Sequence, residues 1–435
     1  MQLNSVLNST KTSKGFLIVL IIIFTVNLRW TQENYLINNG TLLIVLMLSL
    51  ALIKNIINSD KKIHINFLLL LLGIFVYYLY LFLINSVYTF GYQEFNIENN
   101  IHLLSMLIIS LVFLIYIYTQ NFYRSFYFFS KFIFYSMSIL SLYGIIVFMF
   151  GSISQEDNIV IQSINLFGFS FSQVLVEGRM SSLAGNSNTM GSWLMISILL
   201  SIYLYKNNKS SNYLIGILLQ IIALYLSFSR TSILALLLGV IVLFALVLLY
   251  KKKLLIKLRF IIFIIIPLAI SSVWIGAITF SDLTGRQDFW YWGITELINS
   301  NPIIGQGYGS SEALLRGYGS DSTLHNYYLT VLYEGGILGL ALIVFILLMI
   351  YINLYKLFNN DDYIFSKIII FSIFITITVH QFFETTIFNL TLLHFCWLII
   401  VTNIYKIGEI SRYEKNRFNG RNCSESKKRT KSIYE

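Results

Sequence analysis

The chain has 435 residues, of which 57% are hydrophobic and 11% are charged. This composition excludes an ordinary water-soluble domain and is typical of a protein with many membrane spans. The net charge of +10 does not indicate nucleic-acid binding, because the basic residues follow the membrane topology described below. Two cysteines, Cys396 in a predicted span and Cys423 near the C terminus, exclude a disulfide framework.

Runs of apolar residues recur between positions 15 and 405. Crossing a bilayer core about 30 Å thick takes roughly 20 helical residues, and in lipid the backbone must satisfy its own hydrogen bonds, so these runs are expected to be helices. The sequence therefore predicts an all-α polytopic membrane protein with about 12 transmembrane helices, a cytoplasmic N terminus at 1–14, one integral domain at 15–405 and a basic cytoplasmic tail at 406–435. The predicted spans are 15–30, 41–57, 63–85, 101–119, 128–150, 188–205, 212–228, 231–250, 258–280, 327–355, 364–381 and 385–405.

Positive charge sets the predicted orientation. All but five of the 30 Lys and Arg residues fall on one side of these spans, and by the positive-inside rule this side is the cytoplasm. Both termini are then cytoplasmic. The five basic residues of the outer face are Arg29, Arg179, Arg230, Arg286 and Arg316. Of these, Arg29 is interpreted as an interfacial anchor and Arg316 as a surface charge.

Two connections on the outer face are long, at 151–187 and 281–326. Long loops on a bundle of otherwise short connections are where function concentrates. The second one, between the ninth and tenth predicted spans, carries the aromatic stretch 289–292 and then closely spaced glycines. The aromatic stretch is interpreted as an interfacial belt in preference to a surface on which a substrate stacks.

Three of the outer arginines are candidate ligands for a phosphate-linked lipid. A guanidinium keeps its charge and offers a fork of donors that matches phosphate oxygens. Arg179 ends the first long loop, Arg230 lies in a tight turn between two spans, and Arg286 opens the aromatic stretch. The alternatives are local ion pairs, with Glu177 for Arg179 and with Asp282 or Asp288 for Arg286.

His325 stands where the second long loop enters the tenth predicted span. An imidazole titrates near neutrality, so His325 is the candidate general base. Its neighbour Asn326 is interpreted as a helix cap or as a ligand for sugar hydroxyls. Glu334 lies about 13 Å deeper at 1.5 Å per residue and is therefore predicted not to orient His325. A carboxylate at this depth is expected to pair with a cation such as Arg230 or Arg179.

A second polar group lies at the end of the eleventh predicted span. His380 and Glu384 form an i, i+4 pair, and His394 follows inside the twelfth predicted span. Two histidines and a carboxylate make a metal site conceivable. Their spacing matches no recognised metal motif, and hydrogen-bonded helix packing is the preferred interpretation.

A longer pattern surrounds the histidine. His325 and Asn326 are followed by nine residues, Gly336, two residues and Gly339, and this arrangement resembles the signature of the O-antigen ligase and polymerase family. Independently of the resemblance, glycines at this spacing let a neighbouring helix pack closely. Further similar segments are Ser229-Arg230, Gly285-Arg286 with Trp290, the run 301–309, and Arg179 followed by 185–188, in which Ser187 stands in place of an expected proline. The resemblance extends over 179–402.

The resemblance implies a glycosyltransferase of the bacterial cell membrane that takes a glycan from undecaprenyl diphosphate and joins it to a sugar hydroxyl. It implies no metal and no nucleotide. The expected partners are the lipid-linked donor, the glycan acceptor and the bilayer, together with a flippase and a chain-length regulator of the same pathway. The catalytic residues are then His325, Arg286 and Arg230, and the substrate-binding residues are Arg179, Asn326 and Glu334.

The chemistry of the residues agrees with such a transfer. A diphosphate is a good leaving group that needs charge stabilisation, which arginines supply, and no second carboxylate is placed as a nucleophile, so direct displacement with inversion is favoured. Polymerase of an O-antigen or capsular repeat unit is the preferred prediction. The alternatives are a ligase that moves the glycan to a lipid core, a flippase or other transporter for lipid-linked oligosaccharides, and a non-catalytic scaffold.

Overall fold

A computed structural model describes residues 63–87, 93–120, 122–156, 159–166, 169–176, 178–251, 286–320, 323–358, 364–386 and 391–407, together with position 21. Apart from position 21, the predicted spans 15–30, 41–57 and 258–280 lie outside these residues, as do the N terminus at 1–14 and most of the tail from 408 onwards. Arg29, Asp282 and Cys423 also lie outside them.

Helices make up most of the described chain. They are α1 (Ile65–Val87), α2 (Gln93–Thr119), α3 (Phe122–Phe150), α4 (Ser187–Asn208), α5 (Ser211–Leu226), α6 (Arg230–Lys251), α7 (Arg286–Asn299), α8 (Ser310–Gly317), α9 (Tyr327–Leu357), α10 (Ile364–His380) and α11 (Leu392–Ile407). Within the described ranges, six helices are long and apolar enough to cross a membrane, namely α1, α2, α3, α4, α6 and α9, while α5, α10 and α11 are shorter apolar helices. The helical membrane architecture is as predicted. The number of twelve spans stays a prediction.

The helices pack around α4. In its most apolar stretch 83% of α4 is buried, compared with 28% for α6 and for α9, and α3, α5, α6 and α10 all contact it. Apolar helices whose surface is left uncovered by protein are suited to face lipid. The chain therefore has a central helix and an apolar periphery, as a membrane bundle requires.

The segment after α3 forms a sheet that the sequence analysis did not predict. Four antiparallel strands follow one another in the order β1 (Ser152–Glu156), β2 (Ile159–Leu166), β3 (Phe169–Val176) and β4 (Arg179–Met180). Gln162 and Gln173 face each other across β2 and β3 and are both buried. The Gln162 amide donates to the carbonyl of Phe148 at the end of α3. The first long loop is thus a small β-structure fixed to the bundle.

Helix α9 is broken at Gly336, where φ is 62° and ψ is −167°. The glycine-rich segment 302–307 lies in the break and pairs with the backbone that the break exposes. Its hydrogen bonds run from Ile337 N to Pro302 O (2.9 Å), from Leu338 N to Ile303 O (3.2 Å), from Gln306 N to Tyr333 O (3.0 Å) and from Gly307 N to Glu334 O (2.8 Å). Backbone freed inside a membrane helix needs such partners.

Gly336 therefore has a different role from the one its spacing predicts. A Cβ on Gly336 would collide with the backbone of Ile303, whereas a Cβ on Gly339 would lie 3.5 Å from the ring of Tyr80, an ordinary contact. A loop, and not a neighbouring helix, makes the close approach at Gly336. The prediction of close helix packing at this glycine was wrong, because the pattern alone does not distinguish a helix contact from a helix break.

Candidate functional site

His325 lies in the short connection between α8 and α9 and is held there by aromatic residues of α7. The indole N–H of Trp290 donates to the carbonyl of Leu324 (2.8 Å), and the ring of Phe289 stacks on the imidazole with centroids 6.5 Å apart. The backbone of His325 is left-handed, with φ 47°, which is uncommon for a residue with a side chain and is found at functional sites. Phe289 and Trp290 thus pack against the segment that carries His325, whereas Tyr291 of the same stretch is exposed.

The carboxylate of Glu384 is the centre of the site. It follows α10 and the turn 381–383, and its Oε2 lies 3.4 Å from Nδ1 of His325. Its Oε1 accepts hydrogen bonds from Nη2 of Arg286 (3.1 Å) and from Nδ2 of Asn188 (3.0 Å). Four segments of the chain therefore meet at one carboxylate.

Glu384 is held in its ionised form. Burial alone would raise its pKa, but the hydrogen bond with His325 and the charge of Arg286 outweigh burial and hold the pKa below its ordinary value. An ionised carboxylate only accepts hydrogen bonds, so Nδ1 of His325 is the donor and Nε2 is the nitrogen that can take up a proton. At 3.4 Å the contact is long for a hydrogen bond.

Arg286 begins α7 and donates two hydrogen bonds to the segment that contains Phe383 and Glu384. Its Nη1 donates to the carbonyl of Phe383 (2.8 Å), and its Nη2 pairs with Glu384. The guanidinium is largely buried, with 15% of the side chain exposed. The partner of Arg286 is thus a distant carboxylate and not the adjacent Asp288 that the sequence offered as an alternative.

Asn326 takes the capping role. Its Oδ1 accepts a hydrogen bond from the N–H of Leu329 (3.1 Å) in the first turn of α9, and the residue is buried. The next N–H, that of Tyr327, donates to the carbonyl of Gln381 (2.9 Å). These contacts fix the start of α9 against the turn that leads to Glu384. A role of Asn326 in binding sugar stays a prediction.

Arg230 begins α6 and is exposed. Within the described ranges it makes no hydrogen bond or ion pair, and the structure does not bring it into contact with His325 or Glu384. The turn that precedes it is anchored nearby, because Ser229 donates to Ser232 (2.9 Å) and Ser232 bonds to Nε2 of His380 (3.2 Å). Arg230 is thus fixed through α10, the helix that leads to Glu384.

Two other outer arginines lie elsewhere. Arg179 is half-buried in β4, opposite Val176 of β3. Arg316 forms an exposed ion pair with Glu312 at 3.6 Å, in agreement with its interpretation as a surface charge.

Glu334 lies two turns into α9 and is buried. Its Oε1 accepts a hydrogen bond from the hydroxyl of Ser311 (2.6 Å) in α8. The expectation that it pairs with Arg230 or Arg179 was wrong, because the break in α9 brings a polar loop and the start of α8 against it. Glu334 also faces a cavity of about 640 Å³ between α1, α2, α8 and α9.

The histidines outside the centre serve helix packing. His380 bonds to Ser232 of α6, and His394 of α11 bonds to Ser110 of α2 through Nε2 (3.0 Å). Among the residues that the structure describes, no three His, Cys, Asp or Glu side chains are grouped so that they could hold a metal ion.

The sequence analysis missed two members of the site. Glu384 was considered only with His380, and Asn188 only as part of the segment near Arg179. Both are polar residues at the ends of apolar helices, on the face of the bundle predicted to carry His325, and this shared position was the available signal. Their pairing joins residues 59 and 196 positions apart, which no local pattern reveals.

Comparison with known proteins gives a match to a family model. No curated protein matches the chain. Residues 215–344 match the family model described as O-antigen ligase. The matched segment includes Arg230, Arg286, His325 and Glu334, whereas Glu384 and Asn188 lie outside it. Over residues 215–344 the match confirms the resemblance that the histidine pattern indicated, and this part of the chain is similar to the O-antigen ligase family.

Proposed function

We propose that this multi-pass membrane protein is a glycosyltransferase that polymerises oligosaccharide repeat units linked to undecaprenyl diphosphate at the outer leaflet of the bacterial cell membrane. The observation that carries the proposal is the contact between His325 and Glu384, with Arg286 on the same carboxylate. An imidazole oriented by an ionised carboxylate is an arrangement suited to general base catalysis.

In the proposed reaction His325 acts on the acceptor. Nε2 takes the proton of an acceptor hydroxyl while that oxygen attacks the anomeric carbon of the donor sugar. The bond between this carbon and the diphosphate oxygen breaks, and undecaprenyl diphosphate leaves with the bonding electrons. One displacement inverts the anomeric configuration. Glu384 stabilises the imidazolium that forms, as a carboxylate behind a catalytic histidine does.

The leaving group requires positive charge and no proton donor. Arg230 is exposed and permanently charged, and Arg286 lies at the N-terminal end of α7, where the helix dipole also favours an anion. We assign diphosphate binding to these two residues and to Arg179. The reaction written above needs no metal ion for its balance.

A ligase is the second candidate function. The matched family model is described as O-antigen ligase, and a ligase would use the same base and the same leaving group with a different acceptor. A flippase for lipid-linked oligosaccharides is the third candidate, and it would not need an oriented histidine.

Purified lipid-linked repeat units added to membranes that contain the protein test the proposal. We expect the wild-type protein to make chains of several repeat units, and His325→Ala to make none while being inserted in equal amount. Glu296→Gln, which removes an exposed charge of α7, is the matched control and should keep full activity. Full-length polymer from His325→Ala would contradict the role of the base. Transfer to a lipid core without polymerisation would favour the ligase.

A further inference from the structure

A cavity of about 640 Å³ adjoins the catalytic centre and is not part of it. Its volume lies within the roughly 300–1,000 Å³ typical of small-molecule sites. Thr323 and Thr385 belong to its lining. Thr323 lies two residues before His325, and Thr385 directly follows Glu384. A molecule in the cavity would therefore lie beside the proposed base.

The lining of the cavity suits a sugar better than a lipid chain. Aromatic side chains of α1 and of the loop before α8, such as Tyr77 and Tyr308, share the wall with the hydroxyls of Ser311 and Thr330. Sites for sugars and similar polar ligands combine aromatic faces with a few placed polar groups. An apolar chain would leave these polar groups without partners, at a cost in free energy.

The wall that carries Tyr308 is fixed before any ligand binds. The amide of Asn99 donates to the Tyr308 carbonyl (3.0 Å), and the Tyr308 N–H donates to Oδ1 of Asn85 (2.6 Å). Its hydroxyl bonds to Nδ1 of His102 (3.0 Å), and the two rings stack. A preformed wall lowers the entropy cost of ordering the site on binding.

Two polar groups of the cavity have capacity for a ligand. The buried hydroxyl of Thr330 makes no hydrogen bond within the described part of the chain. The Glu334 carboxylate accepts from the Ser311 hydroxyl and from the backbone N–H groups of Gly309 and Ser311. A carboxylate has about four acceptor sites, so it can accept a further hydrogen bond from a sugar hydroxyl.

The charge of the cavity disfavours an anion. Its acidic and basic lining residues are His102, Glu312, Glu334 and Arg316. Arg316 is paired with Glu312, and His102 bonds to the Tyr308 hydroxyl. Beside Glu334 the described lining residues thus leave no unpaired Lys or Arg that could balance the charge of a diphosphate or a uronate. The diphosphate of the donor is therefore expected at the arginines and not in this cavity.

We propose that the cavity is the acceptor subsite, which binds an uncharged sugar through Glu334 and Thr330 and presents one of its hydroxyls to His325. The proposal rests on the transferase function proposed above and names the part of the substrate that this region binds. It also restricts the acceptor, whose terminal sugar is a neutral hexose or N-acetylhexosamine.

Direct binding of free sugars tests the subsite without turnover. The full chain in nanodiscs is mixed with glucose, galactose, mannose, N-acetylglucosamine or N-acetylgalactosamine, and with glucuronate, galacturonate or inorganic diphosphate, and binding is followed by saturation-transfer NMR. We expect at least one neutral sugar to bind, and neither the uronates nor diphosphate to displace it. Binding of none of the neutral sugars, or displacement by a uronate or diphosphate, would overturn the proposal.

Substitutions of cavity residues test whether the sugar binds in the cavity. Glu334→Gln keeps the size of the side chain and is expected to weaken sugar binding about tenfold or more, as for the loss of one hydrogen bond to a charged group. Thr330→Val is expected to weaken binding several-fold and serves if Glu334→Gln does not fold. Glu296→Gln, an exposed carboxylate of α7, is the matched control and should bind like wild type. Equal binding by Thr330→Val and wild type would refute the assignment.

Turnover of lipid-linked repeat units, measured on the same variants, separates the two proposals. If cavity variants bind sugar like wild type while His325→Ala abolishes polymerisation, the acceptor subsite is refuted and the transferase function stands. If sugar binding depends on Glu334 and Thr330 but wild type transfers no glycan, the transferase function fails and the cavity remains a sugar site without its proposed acceptor role.

Discussion

At the scale of single residues, Glu384 decides what His325 can do. Its carboxylate contacts the imidazole with one oxygen and binds Arg286 and Asn188 with the other. Because the three partners approach from separate segments, the orientation of the carboxylate is fixed on both sides. A histidine whose Nδ1 faces a fixed carboxylate is confined to one tautomer. The orientation of His325 therefore depends on Glu384 and Asn188, to which no contact with the substrate is assigned, as well as on Arg286.

Replacing Glu384 by glutamine tests this dependence. The amide has nearly the same shape but can present an N–H to Nδ1, which would favour the wrong tautomer. We expect the turnover number to fall by about 10²–10⁴-fold with little change in the KM for the lipid-linked donor. The measurement compares polymer formation by Glu384→Gln and by the control Glu296→Gln, with both variants present in the membranes in equal amounts. More than half of wild-type turnover in Glu384→Gln would rule out the orienting role.

The same carboxylate makes stability depend on pH. The pKa of Glu384 in the folded protein is lower than its ordinary value. The ionised carboxylate therefore stabilises the fold at pH values above the ordinary pKa of a carboxylate, and this stabilisation is lost as the pH falls through the folded pKa. We expect wild type to unfold at a higher temperature than Glu384→Gln near neutral pH, and the difference to shrink in strongly acidic buffer. Thermal unfolding in detergent at a series of pH values measures it. A difference that grows on acidification would contradict the direction of the shift.

At the scale of elements, the break in α9 connects the loop to the bundle. The segment 302–307 bonds to the exposed backbone on both sides of Gly336, and the Tyr80 hydroxyl of α1 donates to the carbonyls of Ile304 (3.1 Å) and Gly335 (2.8 Å). The backbone angles at Gly336 are those that essentially only glycine adopts. The break also places Glu334 beside α8, where it lines the cavity.

Replacing Gly336 by alanine should weaken the packing of the segment 302–307 against the break in α9. Gly336→Ala meets both an unfavourable backbone conformation and the backbone of Ile303, and we expect it to lower the free energy of unfolding by about 1–3 kcal/mol. Gly339→Ala, three residues on in the same helix, meets the Tyr80 ring at 3.5 Å and Val331 at 3.6 Å, both ordinary contacts, and is the matched control. Thermal unfolding of both variants gives the comparison. Equal stability of Gly336→Ala and wild type would show that the break is not fixed by the loop.

Individual elements differ in how far the sequence predicted them. The apolar runs that became α1 to α6 and α9 to α11 were predictable, because burial in lipid requires long hydrophobic helices. The strands were not predicted, because polar and apolar residues alternate only in parts of β2 and β3, at 163–166 and 169–172. The break at Gly336 was also missed, since its glycine was interpreted as a packing contact.

At the scale of the whole molecule, the site is assembled from chain ends that the bundle brings together. Asn188 begins α4, Arg286 begins α7, His325 precedes α9 and Glu384 follows α10. His325 and Arg286 could be predicted as site residues from the sequence, because a charge or an imidazole at the end of an apolar span is unusual. Their common partner, Glu384, could not be predicted, because pairing across the bundle depends on how the helices pack and not on spacing along the chain.

The orientation of the bundle decides whether this site can reach a lipid-linked glycan outside the cell. Gly317, in α8 near the site, is exposed and has open space around it. Ser211 is exposed at the opposite end, where α5 begins. In a background without Cys396 and Cys423, we expect Gly317→Cys to react with a membrane-impermeant maleimide in intact cells. Ser211→Cys should react only after the cells are opened, because the basic residues around it are retained in the cytoplasm.

Labelling of both variants after permeabilisation is the control for accessibility. The reverse pattern in intact cells would place His325 and Glu384 on the cytoplasmic side. Undecaprenyl-linked repeat units at the outer leaflet could not reach the base there, and the proposed polymerisation would fail even if each contact of the site were correct. The topology experiment therefore tests a condition that no substitution within the site can test.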